Sequence, residues 1–198
     1  AGIAFEFRLR YPEMFTKYKE LTEKNLLNIG SLWIYKVNNE RWILNFPTKF
    51  HWKYPSKIEY IEKGLQKFVD TYKGRGITSI AFPLLGASNG GLNENQVLEV
   101  MNEYLQPVDI PVEIYKYDTY AYDDLYLEFK KLFSLIDESS LAKQTGLRID
   151  IVRKLKKALN ENGINSLSKL LTIQGIGDIT LVKSFNFFMK SNQTYNSL

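Results

Sequence analysis

The chain has 198 residues, 44% of them hydrophobic and 14% aromatic, enough to bury a core in one domain or in a domain with a small appendage. It has no cysteine and one histidine, His51, which excludes disulfides and thiolate metal sites and gives no basis for a histidine-rich metal centre or a Ser-His triad. The net charge of +4 is uneven: residues 139–198 carry nine Lys/Arg against three Asp/Glu and the remainder seventeen against nineteen, so a basic tail follows a mildly acidic body.

No apolar run approaches the roughly 20 residues that span a bilayer, and no basic stretch leading into an apolar one opens the chain. Neither a membrane segment nor a secretory leader is expected, and the cytoplasm is the expected compartment. A helical pattern starts at once, with Ala4, Phe7 and Leu9 on a shared side. Tyr11-Pro12 introduces a second helix to residue 24, because proline is tolerated in a first turn whose N–H lacks a partner. There Phe15, Tyr18, Leu21 and Thr22 keep helical spacing. Residues 31–37 and 41–46 read as strands, and Asn38-Asn39-Glu40 between them is hairpin-turn chemistry. An aromatic, basic loop follows over 47–55. Ser56, with Glu59 three residues on, reads as a capping box for a helix over 57–72, with Ile58, Ile61, Leu65 and Phe68 on one face. Gly74 and Gly76 end it.

The β-favouring run 79–85 then breaks into Gly86-Ala-Ser-Asn-Gly-Gly91, and a helix over 94–105 turns Val97, Leu98, Met101 and Leu105 inward. Residues 112–117 form the last strand. Helices alternating with short apolar strands predict a layered α/β domain. Ligands of such sheets sit outside the carboxyl ends of strands, where the loops after Phe46 and Leu85 lie. From Tyr120 the chain is helical, beginning with a stripe of Tyr122, Leu125, Phe129 and Leu132. Ser139-Ser140 open a short helix ended by Gly146; an amphipathic helix over 149–162 ends at Gly163. A short helix over 166–171, the turn Ile173-Gln-Gly-Ile-Gly-Asp178 and a helix over 179–190 follow, with a polar, frayed end from Asn192. No internal repeat and no low-complexity stretch stands out.

Two loops can carry chemistry. The glycines of 86–91 let the backbone bend through positive φ and leave N–H groups for an anion, usually a phosphate. An ordinary strand-to-helix turn has the same composition. In the other loop, Lys49 sits among aromatic rings. A lysine desolvated there titrates lower and offers a neutral amine as nucleophile or base; the alternative is a plain exposed lysine. His51 is an acid or base, or a packed and hydrogen-bonded histidine. Thr48 donates to a ligand or caps the turn, and Trp52 and Tyr54 pack at the rim.

Ile43-Leu-Asn-Phe-Pro-Thr-Lys-Phe-His-Trp52, Ile61-Glu-Lys-Gly-Leu65 and Ile80-Ala-Phe-Pro-Leu-Leu-Gly-Ala-Ser-Asn-Gly-Gly-Leu92 together resemble the macrodomain family. The branch they resemble most is the DNA ADP-ribosyl glycohydrolase antitoxins of the DarT–DarG type. The opening stretch from Ala1 to Phe15 resembles the segment after that family's first phosphate loop. The likeness covers about residues 1–118. It implies a three-layer α/β/α sandwich with a mixed sheet, followed by a small all-helical domain over 119–198. The family's first strand, its adenine-binding acid and most of its first phosphate loop would precede Ala1, so the first domain is expected to be N-terminally incomplete.

The resemblance also implies a site. Gly2, Ile3, Thr48, Gly86, Ala87, Ser88, Asn89, Gly90, Gly91 and Leu92 would hold ADP-ribose, and Tyr117 would flank the adenine or pack in the core. Lys49 takes the place of the catalytic lysine, close to the anomeric carbon of the distal ribose. No metal and no cofactor is implied; ADP-ribose is the ligand or product. Two departures stand in the loop. Ala87 and Ser88 replace a small residue, often cysteine, and a glycine, and Ser88 narrows the loop. Asn89 and Gly90 stand where some relatives carry an acid, so a lysine–acid mechanism is not supported.

The implied activity is removal of ADP-ribose from modified DNA or another nucleic acid, antitoxin-like, with a cognate ADP-ribosyltransferase toxin as a partner and no membrane. The alternative is a non-catalytic ADP-ribose reader with a DNA- or partner-binding tail. In that tail, residues 170–178 resemble a helix-hairpin-helix turn. Gly175 and Gly177 would offer N–H groups to a DNA phosphate, beside a basic helix carrying Arg153, Lys154, Lys156 and Lys157. A structural helical bundle is the alternative there. The tail is too short to equate with the toxin-neutralising region of the DarT–DarG antitoxins.

Overall fold

The computed structural model describes residues 2–51, 53–121 and 123–195; Trp52 and Tyr122, which the sequence reading placed in the rim and in a helical stripe, lie outside them. The chain divides into two compact units, Glu13–Tyr117, and Ala1–Pro12 with Asp118–Leu198. Among the described residues no helix is long and apolar enough to cross a membrane.

The first unit carries the β-structure. After helix α2 (Pro12–Glu23), strands β1 (Trp33–Lys36) and β2 (Trp42–Asn45) form an antiparallel hairpin in the register Trp33↔Asn45 to Lys36↔Trp42. The Asn38 side chain closes its turn by accepting from the amides of Glu40 and Arg41. Helix α3 (Ile58–Thr71) then leads to β3 (Ile80–Pro83), which pairs in parallel with β4 (Val112–Tyr115) through helix α4 (Glu94–Leu105). Both pairings expected of a mixed sheet are therefore present, as two separate ladders. Ile61, Leu65 and Phe68 of α3, Phe82 of β3, and Val97, Met101 and Leu105 of α4 make one core. The ring of Phe46 crosses that of Phe82 edge-on at 6.5 Å. A methyl group at Gly64 would stand 2.1 Å from the Phe46 ring, so this glycine lets α3 close onto the strand end.

Two local expectations change. Leu98, predicted inward, is on the outer side of α4, because burial there follows Val97, Met101 and Leu105 at i, i+4, i+8. Ser56 does not cap α3. The helix begins one residue later, at Ile58, without a side-chain cap, and Ser56 is buried in another role described below. The cap of α4 is Asn93, whose side chain accepts from the amides of Asn95 and Gln96.

The second unit is helical: α1 (Ile3–Arg10), α5 (Asp124–Leu135), α6 (Glu138–Thr145), α7 (Ile149–Ala158), a 3₁₀ turn (Ser168–Thr172) and α8 (Asp178–Tyr195). Its core holds Tyr126, Phe129, Phe133, Leu141, Val152, Leu155, Leu181, Phe185 and Phe188. Phe5 and Leu9 of α1 belong to the same core, so the buried side of α1 is this i, i+4 pair; Ala4 is exposed and Phe7 only half-buried. Polar contacts agree with this grouping. The Glu6 carboxylate accepts from the amide of Ser168 at 2.8 Å, and Arg8 pairs with Asp178 at 2.7 Å. A division at 118/119 would assign residues 1–12 to the α/β domain; in the structure they group with the tail helices.

Candidate functional site

The site grows from two chain reversals in the first unit. β2 ends at Asn45, and the buried Pro47 turns the chain so that Thr48 and Lys49 leave the strand end half-buried. β3 ends at Pro83 and runs into the glycine loop. Gly86 has φ of +69° and Gly91 of +80°, conformations that favour glycine. Between them Ser88–Gly90 form one 3₁₀ turn, with Ser88 itself at φ +33°.

The structure brings these two reversals together. The Lys49 amine donates to the carbonyl of Asn89 at 2.6 Å, across 40 residues of sequence. A primary amine is thus held at the tip of the glycine loop, where it can meet an electrophilic carbon or a developing negative charge.

The loop uses part of its own hydrogen-bonding capacity. The amides of Gly90 and Gly91 donate to Ala87 O, and that of Leu92 to Gly86 O. The amides of Ser88 and Asn89 have no acceptor among the described residues. They are the backbone donors open to an anion at the tip.

Beneath the loop lies a residue that sequence reasoning assigned elsewhere. The Ser56 amide donates to Gly90 O at 2.9 Å. Its side chain underlies both glycines: a Cβ at Gly90 would be 2.5 Å from Ser56 Oγ, and one at Gly86 3.1 Å from Ser56 Cβ. Ser56 Oγ is buried and has no hydrogen-bond partner among the described residues. The small size of Ser56 is what admits the loop. Only the Ser-x-x-Glu spacing marked it in the sequence, and that pointed to a helix cap.

The remaining predicted residues are distributed as follows. Phe50 and Tyr54 are strongly exposed, and the His51 ring lies 5.5 Å from that of Tyr54. Tyr54 is therefore a surface ring, not a packed one. Tyr117 follows the end of β4, whose Tyr115 is in register with Pro83 of β3; it is 64% exposed and so has no core role. Gly2 and Ile3 open α1 and belong to the helical unit. In that unit Lys154 donates to the carbonyl of Gln174 at 3.0 Å, directly before Gly175. Gly177 and Lys157 are exposed. Among the described residues no group of three or more His, Cys, Asp or Glu is placed to hold a metal ion.

Comparison with known proteins gives a consistent result. The family model of the macro domain matches residues 1–101, half of the chain. A DNA ADP-ribosyl glycohydrolase of Mycobacterium tuberculosis is 37% identical over 118 residues, 58% of this chain and 34% of that protein. The macrodomain of M. tuberculosis DarG superposes with a TM-score of 0.57 at 36% identity, covering 60% of this chain and 80% of that one. A DNA ADP-ribosyl transferase–DNA ADP-ribosyl glycohydrolase fusion protein of Thermosipho africanus is 35% identical over 132 residues, 58% of this chain and 34% of its own length. The solved Thermosipho africanus DarTG in complex with ADP-ribose superposes with a TM-score of 0.57 at 34% identity, covering 64% of this chain and 37% of that one. The chain spans about a third of the length of the curated relatives it matches.

Proposed function

The chain belongs to the macro domain family, and from that premise we propose that it is a cytoplasmic glycohydrolase that releases ADP-ribose from modified DNA or another nucleic acid. The observation that carries this reading is the Lys49 amine at the carbonyl of Asn89, on the tip of the glycine loop. The relatives named for this activity, and the relative solved with ADP-ribose, support it. The diphosphate lies against the free amides of Ser88 and Asn89, and the distal ribose is held over Lys49. The amine then attacks the anomeric carbon, or balances charge on the departing base, and water completes hydrolysis of the glycosidic bond. No metal and no redox cofactor takes part.

Lys49→Ala is expected to lower release of ADP-ribose from an ADP-ribosylated oligonucleotide by about 100-fold or more, at an unchanged melting temperature. Lys49→Arg separates the two roles, since it keeps the charge but cannot attack. Equal turnover by Lys49→Ala would remove Lys49 from the mechanism.

A second reading has its own observation. Asn89 and Gly90 put no carboxylate beside the lysine in the loop, which suits ADP-ribose capture without turnover. Calorimetry and hydrolysis measured on the same preparation decide between them: tight binding without product selects the reader. A cognate ADP-ribosyltransferase is the proposed protein partner, on the strength of the fused relative. DNA is the proposed partner of the helical unit, through Gly175, Gly177, Lys154 and Lys157.

A further inference from the structure

Ser56 carries a hydroxyl to which the described residues give no partner. The residue is 5% exposed, and its Oγ is buried. A buried donor left unmade is a cost that alanine, which fits the same space, would not carry. The hydroxyl lies against the main chain of Gly90, since a Cβ there would come within 2.5 Å of Oγ. The Ser56 amide is bound to Gly90 O at 2.9 Å. Its backbone thus anchors Ser56 to the glycine loop, while its side chain faces the same loop without a bond.

The peptide joining Asn89 to Gly90 is the group this hydroxyl can serve. The carbonyl of that peptide holds the Lys49 amine at 2.6 Å, and its amide donates to Ala87 O at 2.6 Å. Each tie occupies a group that the proposed chemistry needs. An amine bound to Asn89 O is not directed at a ribose carbon, and an amide bound to Ala87 O is withheld from a phosphate. Both ties can be given up. Ala87 O also accepts from the Gly91 amide, at 3.3 Å, so it keeps a donor when that of Gly90 leaves. Gly90 has no side chain to carry through a turn of the peptide, and Asn89 is exposed. Only the Asn89 carbonyl would lose its partner, and the Ser56 hydroxyl is the unused donor beneath it.

We infer that Ser56 is a positioning residue of this site. When a diphosphate enters, the Asn89–Gly90 peptide turns over. The Asn89 carbonyl passes from Lys49 to the Ser56 hydroxyl, and the Gly90 amide joins those of Ser88 and Asn89 at the phosphate. The same movement releases the Lys49 amine toward the ribose. A ligand shifts such an equilibrium only through contacts that differ between its two states. Here the added N–H donor and the Ser56 hydrogen bond are those contacts, so binding and release of the lysine are one event. This rests on the reading of the loop as an ADP-ribose site.

Three measurements on Ser56→Ala and Ser56→Cys test it: calorimetry with ADP-ribose, melting temperature without ligand, and steady-state release from an ADP-ribosylated oligonucleotide. Alanine removes the hydroxyl, whereas cysteine keeps a side chain of similar reach with only a weak donor. Both variants are expected to bind ADP-ribose about tenfold more weakly, the worth of one hydrogen bond. Their kcat should fall as well, because the amine stays on Asn89 O. Ser56→Ala should melt at the parent's temperature or higher, since the hydroxyl it loses is unbonded. Parental affinity in Ser56→Ala overturns the inference. A loss of affinity matched by a fall in melting temperature also overturns it, as packing alone. Parental affinity in Ser56→Cys overturns it too, by assigning the effect to volume. A parent that binds no ADP-ribose overturns the inference together with the reading it rests on; a parent that binds no better than Ser56→Ala removes Ser56 alone.

Discussion

Lys49 shows what a single residue's position decides. A lysine in an aromatic loop has many ordinary explanations; one whose amine meets the carbonyl of Asn89, 40 residues on, is held at the glycine loop. Beside it, Ser88 takes φ +33°, a value that costs a non-glycine residue of order 1 kcal/mol or more. Ser88→Gly removes that strain and widens the loop, at the cost of a more flexible unfolded chain. We expect ADP-ribose affinity to rise several-fold in calorimetry with little change in melting temperature. Weaker binding would mean that the Ser88 hydroxyl itself contacts the ligand.

At the level of elements, α3 is the support of the site. It buries Ile61, Leu65 and Phe68, and at Gly64 it meets the ring of Phe46, the residue from which the Lys49 loop departs. Gly64→Ala forces that ring away and should cost about 1–3 kcal/mol in denaturant unfolding, with loss of turnover beyond the loss of fold. The far end of α3 is tied by Asp109, which accepts from the Tyr72 hydroxyl and pairs with Lys73 at 2.7 Å. Hydrogen bonds from Lys73 and then Tyr72 hold the Asp109 carboxyl below its ordinary value. The hydrogen bond to Asp109 raises the Lys73 amine. A lowered carboxyl contributes stability that is complete above the ordinary carboxyl value and lost as pH falls through its folded value. A raised amine contributes stability that is complete below the ordinary lysine value and lost as pH rises through its folded value. The pair is exposed, so the effect is small. Melting temperatures of the parent and Asp109→Asn should differ by a constant amount near neutrality and converge below pH 3.8. A difference that persists in acid would assign the effect to packing instead.

Over the whole molecule, the division of the chain into units does not follow its order. Phe5 and Leu9 lie in the core of helices formed more than a hundred residues later. Phe5→Ala should cost the helical unit about 3–5 kcal/mol, seen as loss of α8 amide protection in hydrogen exchange, with the amides of α3 and α4 unaffected. Equal loss in both sets would show that the units unfold as one. The sequence by itself determined the hairpin, the glycine turn, the apolar faces of α3 and α7, and the basic tail. These follow from periods of two and 3.6 residues and from turn chemistry, all local properties. The tertiary structure alone decided that Lys49 meets Asn89, that Ser56 is the floor of the loop and not a helix cap, and that α1 packs with the tail. Each of these is a contact between residues far apart in the chain. Its energy comes from shape and burial that no local pattern encodes.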